Sequence, residues 1–296
     1  NPNLIYCETT IDFLMRELKV YKNKNNNVKL IFDVCDDFNV DQKYLNQVDH
    51  IFCASESCRG HVHGAQVLYP TNGDLLLACE LLRKHLGADD YKDLLKNEFF
   101  DKHFLKATIH EEIEQLDSRI VVTPNFDQIY ERYVHSIPGN DVVVAKYNDN
   151  NIADVIRSAH RLIIKSHGDI TAGDDIIFTK ADYAKARSEY AQFYSVLDAL
   201  LLTHTFVFIG AGLNDPDIQL LLEDYTYRNK YKRKHFFITP KDSMSAEEFD
   251  IMEKTLSLKF LKYDKKDAHK ELTDSIKKLH ELVDQKRDEL SASKDW

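Results

Sequence analysis

Short apolar runs alternate with amphipathic stretches along most of this chain. The runs at 28–32, 48–52, 120–123 and 162–164 are rich in Val, Ile, Leu and Phe, which is typical of buried strands. Between such runs, apolar residues often recur every three or four positions, as in an amphipathic helix. This strand–helix–strand order predicts an α/β fold, a Rossmann-like parallel sheet flanked by helices.

The same pattern predicts further elements of both kinds. Additional strands are expected at 4–7, 141–145, 176–178, 206–209, 235–239 and 258–263. Helices are expected at 11–18, over most of 74–116, and at 129–134, 153–159, 180–202, 217–227 and 266–290.

Three regions are predicted along the chain. Residues 1–60 form a strand–helix–strand extension that merges into the sheet, residues 61–265 form the core, and residues 266–296 form an amphipathic helix and tail. The apolar stripe of that last helix either packs on the domain's own sheet or serves contacts in an oligomer. Its members are Leu272, Ile276, Leu279, Leu282 and Val283.

Composition and charge exclude several classes of protein. The formal net charge of -10 argues against sequence-independent nucleic-acid binding, which needs a basic surface. No run approaches the roughly 20 apolar residues of a membrane span, and the first residues do not resemble a signal peptide. The five cysteines are scattered and never spaced as CxxC, so we expect reduced thiols in a cytoplasmic protein, with no zinc-ribbon module and no metal.

Small and polar residues follow three of the apolar runs. The segments are 123–127, 165–169 and 210–216. Ligands of open α/β sheets bind outside the carboxyl ends of the strands, so these segments are predicted to face one pocket.

The residue types in these segments suit a nucleotide. A histidine such as His167 accepts a proton near neutral pH, and the amide of Asn125 orients a water or a sugar hydroxyl. The carboxylate of Asp127 stabilises a developing cation, while Gly210 and Gly212 allow close approach of a phosphate.

Each segment also has a purely structural interpretation. Asn125 or Asp127 could cap the following helix, and Asp215 before Pro216 is a typical helix start. His167 could be a structural histidine with its hydrogen bonds satisfied.

Taken together, the three segments resemble the successive motifs of the sirtuin-like family, and more narrowly its bacterial anti-phage effector branch. The motifs read Thr123-Pro124-Asn125-Phe126-Asp127, Lys165-Ser166-His167-Gly168-Asp169 and Gly210-Ala211-Gly212-Leu213-Asn214-Asp215-Pro216. The intervening segment 177–183 fits the same branch, and the resemblance extends over about 111–239.

The resemblance implies an NAD site in the core region and an NAD+ glycohydrolase that acts as a defence effector by NAD depletion. Asn125, near the nicotinamide ribose, and His167, the general base, would be the catalytic pair. The cofactor-binding residues would be Thr123, Asp127, Gly210, Gly212, Asn214 and Asp215. It also implies a homo-oligomer or a partner protein of a defence system.

The chain departs from the family pattern in two places. The Gly-Ala-Gly-x-Ser loop that wraps the pyrophosphate is missing, and its nearest counterparts are 53–57 and 64–68. Pro124 stands where the family has Thr or Gln, which removes one backbone donor. The alternative is therefore a catalytically inactive nucleotide-binding or scaffold domain; a protein deacylase is a weaker one.

Overall fold

A computed structural model describes residues 31–34, 50–53, 66–70, 75–100, 103–172, 176–229 and 233–293 of the 296. The chain divides into two compact units. One comprises Asn1–Glu98 with Ile177–Lys185, and the other comprises Phe99–Ile176 with Ala186–Trp296.

The first unit contains a parallel sheet with the order β1-β2-β3. Its strands are β1 (Ile31–Val34), β2 (His50–Cys53) and β3 (Gln66–Pro70), and helix α1 (Leu75–Leu86) follows them. The segment 64–68, one of the two loop candidates, thus has strand residues from Gln66 onward, where the sequence pattern predicts no strand.

The second unit contains two parallel three-stranded sheets, ordered β4-β6-β5 and β7-β8-β9. The strands are β4 (Ile120–Thr123), β5 (Val142–Lys146), β6 (Arg161–Lys165), β7 (Val207–Ile209), β8 (His235–Pro240) and β9 (Leu258–Tyr263). The central strand β6 is buried along Leu162, Ile163 and Ile164, which explains its unbroken apolar sequence.

Helices connect these strands. They are α2 (Ala88–Phe99), α3 (Thr108–Gln115), α4 (Ile129–His135), α5 (Ile152–Arg157), α6 (Lys180–Glu189), α7 (Ala191–Thr203), α8 (Pro216–Arg228), α9 (Ala246–Thr255) and α10 (Lys266–Ser293). Within the described ranges, no helix is long and apolar enough to cross a membrane. Parallel sheets flanked by helices confirm the predicted α/β, Rossmann-like class.

One element prediction is wrong, one predicted helical span is divided in two, and one helix is not predicted. Residues 176–178 do not form a strand, because the N–H groups of Phe178 and Thr179 donate to Asp182 Oδ2 (3.3 and 2.9 Å) at the start of α6. The helix expected over 180–202 is two helices that meet at Tyr190. The hydropathy pattern predicts no helix where α9 lies. The elements expected at 4–7 and 11–18 lie outside the described residues.

The C-terminal helix packs on its own unit. Leu272 and Ile276 are buried against Ile238 and Tyr263 of the β7-β8-β9 sheet, together with apolar residues of α3. The first of the two interpretations of this helix is therefore confirmed for these residues. Farther along, Leu282 and Leu290 are 50% and 48% exposed.

Candidate functional site

The loop after β4 carries the first predicted group of site residues. Thr123 is the last residue of β4, and its Oγ1 accepts the N–H of Asn125 at 3.1 Å, which turns the chain away from the sheet. Asn125 itself is exposed. Asp127 Oδ1 accepts the N–H of Ile129 at 2.8 Å, but the N-cap of α4 is Gln128, so neither Asn125 nor Asp127 is the helix cap.

Backbone hydrogen bonds join this loop to the loop after β6. The N–H of Ser166 donates to Thr123 O at 2.9 Å, and the N–H of Ile170 donates to Phe126 O at 2.8 Å. Between them, Gly168 has a φ of 85°, a left-handed conformation that favours glycine. Two of the three predicted segments therefore lie side by side at the carboxyl ends of adjacent strands.

His167 connects the second segment to the third. The side chain is buried, with its Nε2 at 3.6 Å from Asp215 Oδ2 and 3.9 Å from Asp217 Oδ2. Burial lowers the pKa of His167, and the two carboxylates act in the opposite direction. The imidazole is therefore neutral at neutral pH and able to accept a proton.

The third segment leads from β7 into α8. Gly210 has a φ of 64°. Asp215 caps α8 by accepting the N–H groups of Asp217 and Ile218, both at 2.9 Å, with Pro216 in the first turn, as predicted. Gly212 and Asn214 are exposed, and a Cβ added to Gly212 would meet no described atom within 4 Å.

Asp217 is a further carboxylate near His167, and the sequence pattern does not predict it as a site residue. Asp217 is buried, its Oδ1 lies 2.7 Å from Arg187 Nη1, and its Oδ2 accepts the hydroxyl of Tyr194 at 2.7 Å. Burial raises the pKa of Asp217, while Tyr194, His167 and Arg187 act in the opposite direction. In the sequence, an Asp in a first helical turn signals only the helix dipole, so its burial could not be foreseen.

A buried lysine also went unrecognised. Lys165 ends β6 with a fully buried side chain, whose ammonium contacts Glu131 Oε1 and the carbonyl oxygen of Asp127. It also lies 3.5 Å from Asp169 Oδ2. The only signal is a lysine that closes an apolar run. This contact fixes the start of α4, and with it the loop that carries Asn125, to the strand that leads to His167.

Two further predictions concern a metal ion and the loop that would bind the pyrophosphate. Among the described residues, no cluster of three or more His, Cys, Asp or Glu side chains could hold a metal ion. The pyrophosphate-loop candidate at 53–57 lies outside the described residues after Cys53, and the one at 64–68 lies outside them before Gln66.

A parallel α/β fold with polar residues at the carboxyl ends of β4, β6 and β7 is typical of the Rossmann-like class of folds, in which ligands bind at these strand ends. Within that class, residues 119–261 match the family model of the SIR2-like domain. All eight predicted site residues, from Thr123 to Asp215, fall inside the matched range.

Curated relatives are similar to part of this chain. The chain is 31% identical over 121 residues to "NAD(+) hydrolase ThsA" of Enterococcus faecium, covering 40% of this chain and 25% of the relative. It is 25% identical over 130 residues to the protein of that name from Acinetobacter baumannii, covering 44% and 27%. It is 27% identical over 133 residues to "Defense-associated sirtuin 2" of Bacillus subtilis, covering 44% and 13%. The alignments thus span about a quarter or less of these relatives' length.

Proposed function

We propose that this protein is an NAD+ glycohydrolase that cleaves NAD+ to nicotinamide and ADP-ribose and acts as an anti-phage defence effector by NAD depletion. The names of the three relatives described above, two NAD(+) hydrolases and one defence-associated sirtuin, support the proposal. The observation that carries it is His167, a buried neutral imidazole beside the start of α8, on a loop hydrogen-bonded to the loop of Asn125.

The reaction needs little acid catalysis, because nicotinamide leaves as a neutral ring. The bond between C1′ of the ribose and the ring nitrogen breaks, and its electron pair goes to that nitrogen. The oxygen of a water bonds to C1′, and a proton of that water goes to His167. Asn125 orients the water or a ribose hydroxyl through its amide. Asp127 and Thr123 line the nicotinamide end, where the Asp127 carboxylate supports the developing cation.

The third segment takes the adenosine side of NAD+. Gly210 and Gly212 let the backbone approach the phosphates, and the exposed Asn214 offers an amide to a ribose. Asp215 joins the third segment to the general base, because its Oδ1 caps α8 and its Oδ2 lies 3.6 Å from Nε2 of His167.

The proposal extends to partners and location. We infer a homo-oligomer, or a complex with another protein of a defence system, that acts on the NAD+ pool of the cytoplasm. The exposed Leu282 and Leu290 at the far end of α10 support a contact of this kind. Light scattering of the wild-type protein and of Leu282→Ser/Leu290→Ser would show a mass that falls to the monomer in the variant; an unchanged mass would exclude this surface.

Two substitutions test the activity. Asn125→Ala and His167→Ala should each lower NAD+ turnover by about 100-fold or more, the usual contribution of a general base or an orienting group. The exposed His204, at the end of α7, provides the matched control: His204→Ala should retain turnover. Nicotinamide release is measured by chromatography.

The same assay separates the alternatives. If both site variants cleave NAD+ at the parental rate, the assignment fails. If calorimetry detects binding of NAD+ and ADP-ribose to the wild-type protein but no nicotinamide is released, the domain is an inactive nucleotide-binding module. Release of acetyl groups from an acetyl-lysine peptide would indicate a deacylase instead.

A further inference from the structure

Asp217 is held in place from two directions behind His167. Arg187, on α6, lies 2.7 Å from Oδ1, and the hydroxyl of Tyr194, on α7, donates to Oδ2 at 2.7 Å. The carboxylate is buried and has both oxygens engaged, so its position is fixed by neighbours on separate helices. An anion held in this way is preorganised, since it cannot reorient freely when charge develops beside it.

The carboxylates of Asp217 and Asp215 face the same nitrogen of His167. Their Oδ2 atoms lie 3.9 and 3.6 Å from Nε2. A neutral imidazole carries its proton on one nitrogen and a lone pair on the other. Two negative oxygens near Nε2 favour the tautomer that has the proton there, because an N–H dipole is attracted to them and a lone pair is repelled.

We propose that Asp217 is a positioning residue that keeps the proton of His167 on Nε2 and stabilises the cation that forms when His167 takes up a second proton in catalysis. The inference rests on the proposed function for its kinetic consequence, but the tautomer itself is a property of the folded chain. Asp215 contributes in the same sense, but it also caps α8, so Asp217 is the cleaner position to change.

The charged groups around His167 have distinct roles. When His167 takes up a proton it becomes a cation, which the carboxylates of Asp217 and Asp215 stabilise. Arg187 and Tyr194 contact Asp217, so they hold that carboxylate in place. Loss of the Asp217 charge should therefore lower the pKa of His167, because burial then acts against fewer opposing groups.

A direct test needs no turnover. In nitrogen NMR of the full chain labelled in histidine, the His167 signals, identified by their loss in His167→Ala, should show the Nε2-protonated tautomer. Asp217→Asn should move His167 towards a mixture of tautomers, whereas Asp224→Asn, which changes a more exposed carboxylate of the same helix, should not. A His167 that is protonated on Nδ1 in the wild type, or is unaffected by Asp217→Asn, overturns the proposal.

Kinetics test the consequence for catalysis. We expect Asp217→Asn to lower kcat about 10-fold, part of what a general base contributes, with KM within about 2-fold. The acidic limb of the pH profile should move to lower pH, whereas a merely structural loss would leave that limb in place and lower the melting temperature. Tyr194→Phe keeps the carboxylate, so it should lower kcat less and leave the limb unmoved.

The NMR and kinetic experiments test the proposed function and the positioning role of Asp217 separately. If the wild type releases no nicotinamide, the proposed function fails and NMR still decides the tautomer. If it turns over NAD+ and Asp217→Asn matches it in kcat and pH profile, the positioning role fails and the function stands.

Discussion

Two glycines that follow the same apolar run can have different reasons for being glycine. Gly210 has a φ of 64°, where any side chain is strained by its own backbone. Gly212 has no such φ, and a Cβ there would meet no described atom within 4 Å. The protein itself therefore tolerates a methyl group at Gly212, and a cost of adding one would come from a ligand.

This contrast gives a prediction. Gly212→Ala should leave the free energy of unfolding within about 1 kcal/mol of the wild type and weaken ADP-ribose binding about 10-fold, because the methyl group occupies the approach of the phosphates. Gly210→Ala should destabilise the fold by about 1–2 kcal/mol. Urea denaturation and calorimetry measure the two effects. Unchanged binding in Gly212→Ala would remove this glycine from the site.

At the scale of single residues, the sequence predicts local roles such as helix capping better than contacts between residues that are far apart in the chain. The helix start at Asp215 and Pro216 follows from capping chemistry, which is local. Asp217 is hydrogen-bonded to Tyr194, which lies 23 residues earlier in the chain. Lys165 contacts Glu131, which lies 34 residues earlier. No local pattern shows which buried charges will meet, so these contacts appear only in the fold.

Among the elements, β6 and α4 are coupled by a buried ion pair. Lys165 is fully buried at the end of β6, and its ammonium contacts Glu131 on α4. Burial raises the pKa of Glu131, and Lys165 opposes that rise. Removing one member of such a pair leaves an uncompensated charge in the interior, which costs more than the pair itself contributes.

We therefore expect Lys165→Met to lower the free energy of unfolding by about 3–5 kcal/mol. The double variant Lys165→Met/Glu131→Gln should recover part of that loss, because no unpaired carboxylate remains at position 131. Urea denaturation of the wild type and these two variants measures the free energy of unfolding of each. If the double variant is less stable than Lys165→Met, the pair is not the source of the loss.

Strands with buried apolar runs are predicted correctly from the sequence, whereas elements that depend on capping hydrogen bonds are not. The strands β4, β6, β8 and β9 were found because burial demands an apolar run. Helix α9 was missed although Ser245 and Glu248 form a capping box, a signal present in the sequence. The apolar residues 176–178 were mistaken for a strand because the turn held by Asp182 leaves no mark in hydropathy.

For the molecule as a whole, the buried His235 makes stability depend on pH. His235 lies in β8 with its Nδ1 accepting the N–H of Phe206 at 3.1 Å, and burial lowers its pKa from 6.5 to about 4. Below pH 6.5 the unfolded chain binds a proton at this position and the folded chain does not, so folding becomes less favourable. Below about pH 4 both states are protonated and the loss is complete.

Lowering the pH from 6.5 to 4 should therefore remove about 3 kcal/mol of folding free energy, since each tenfold difference in proton affinity between the two states is worth about 1.4 kcal/mol. His235→Asn retains an acceptor for the Phe206 N–H and cannot titrate, so its unfolding free energy should fall less over this range. Denaturant titrations at a series of pH values, compared between the two proteins, give the difference. Parallel curves would contradict the assignment.

Lys165 also offers a way to watch the sheet open. An amine-reactive reagent cannot reach an ammonium with no exposed surface, so labelling at this position requires that β6 separates from its neighbours. The labelling rate therefore measures how often β6 separates from its neighbouring strands under native conditions, without denaturant. Because β6 leads directly to His167, a ligand that binds at the strand ends and slows this labelling would report its own affinity through a residue it never touches.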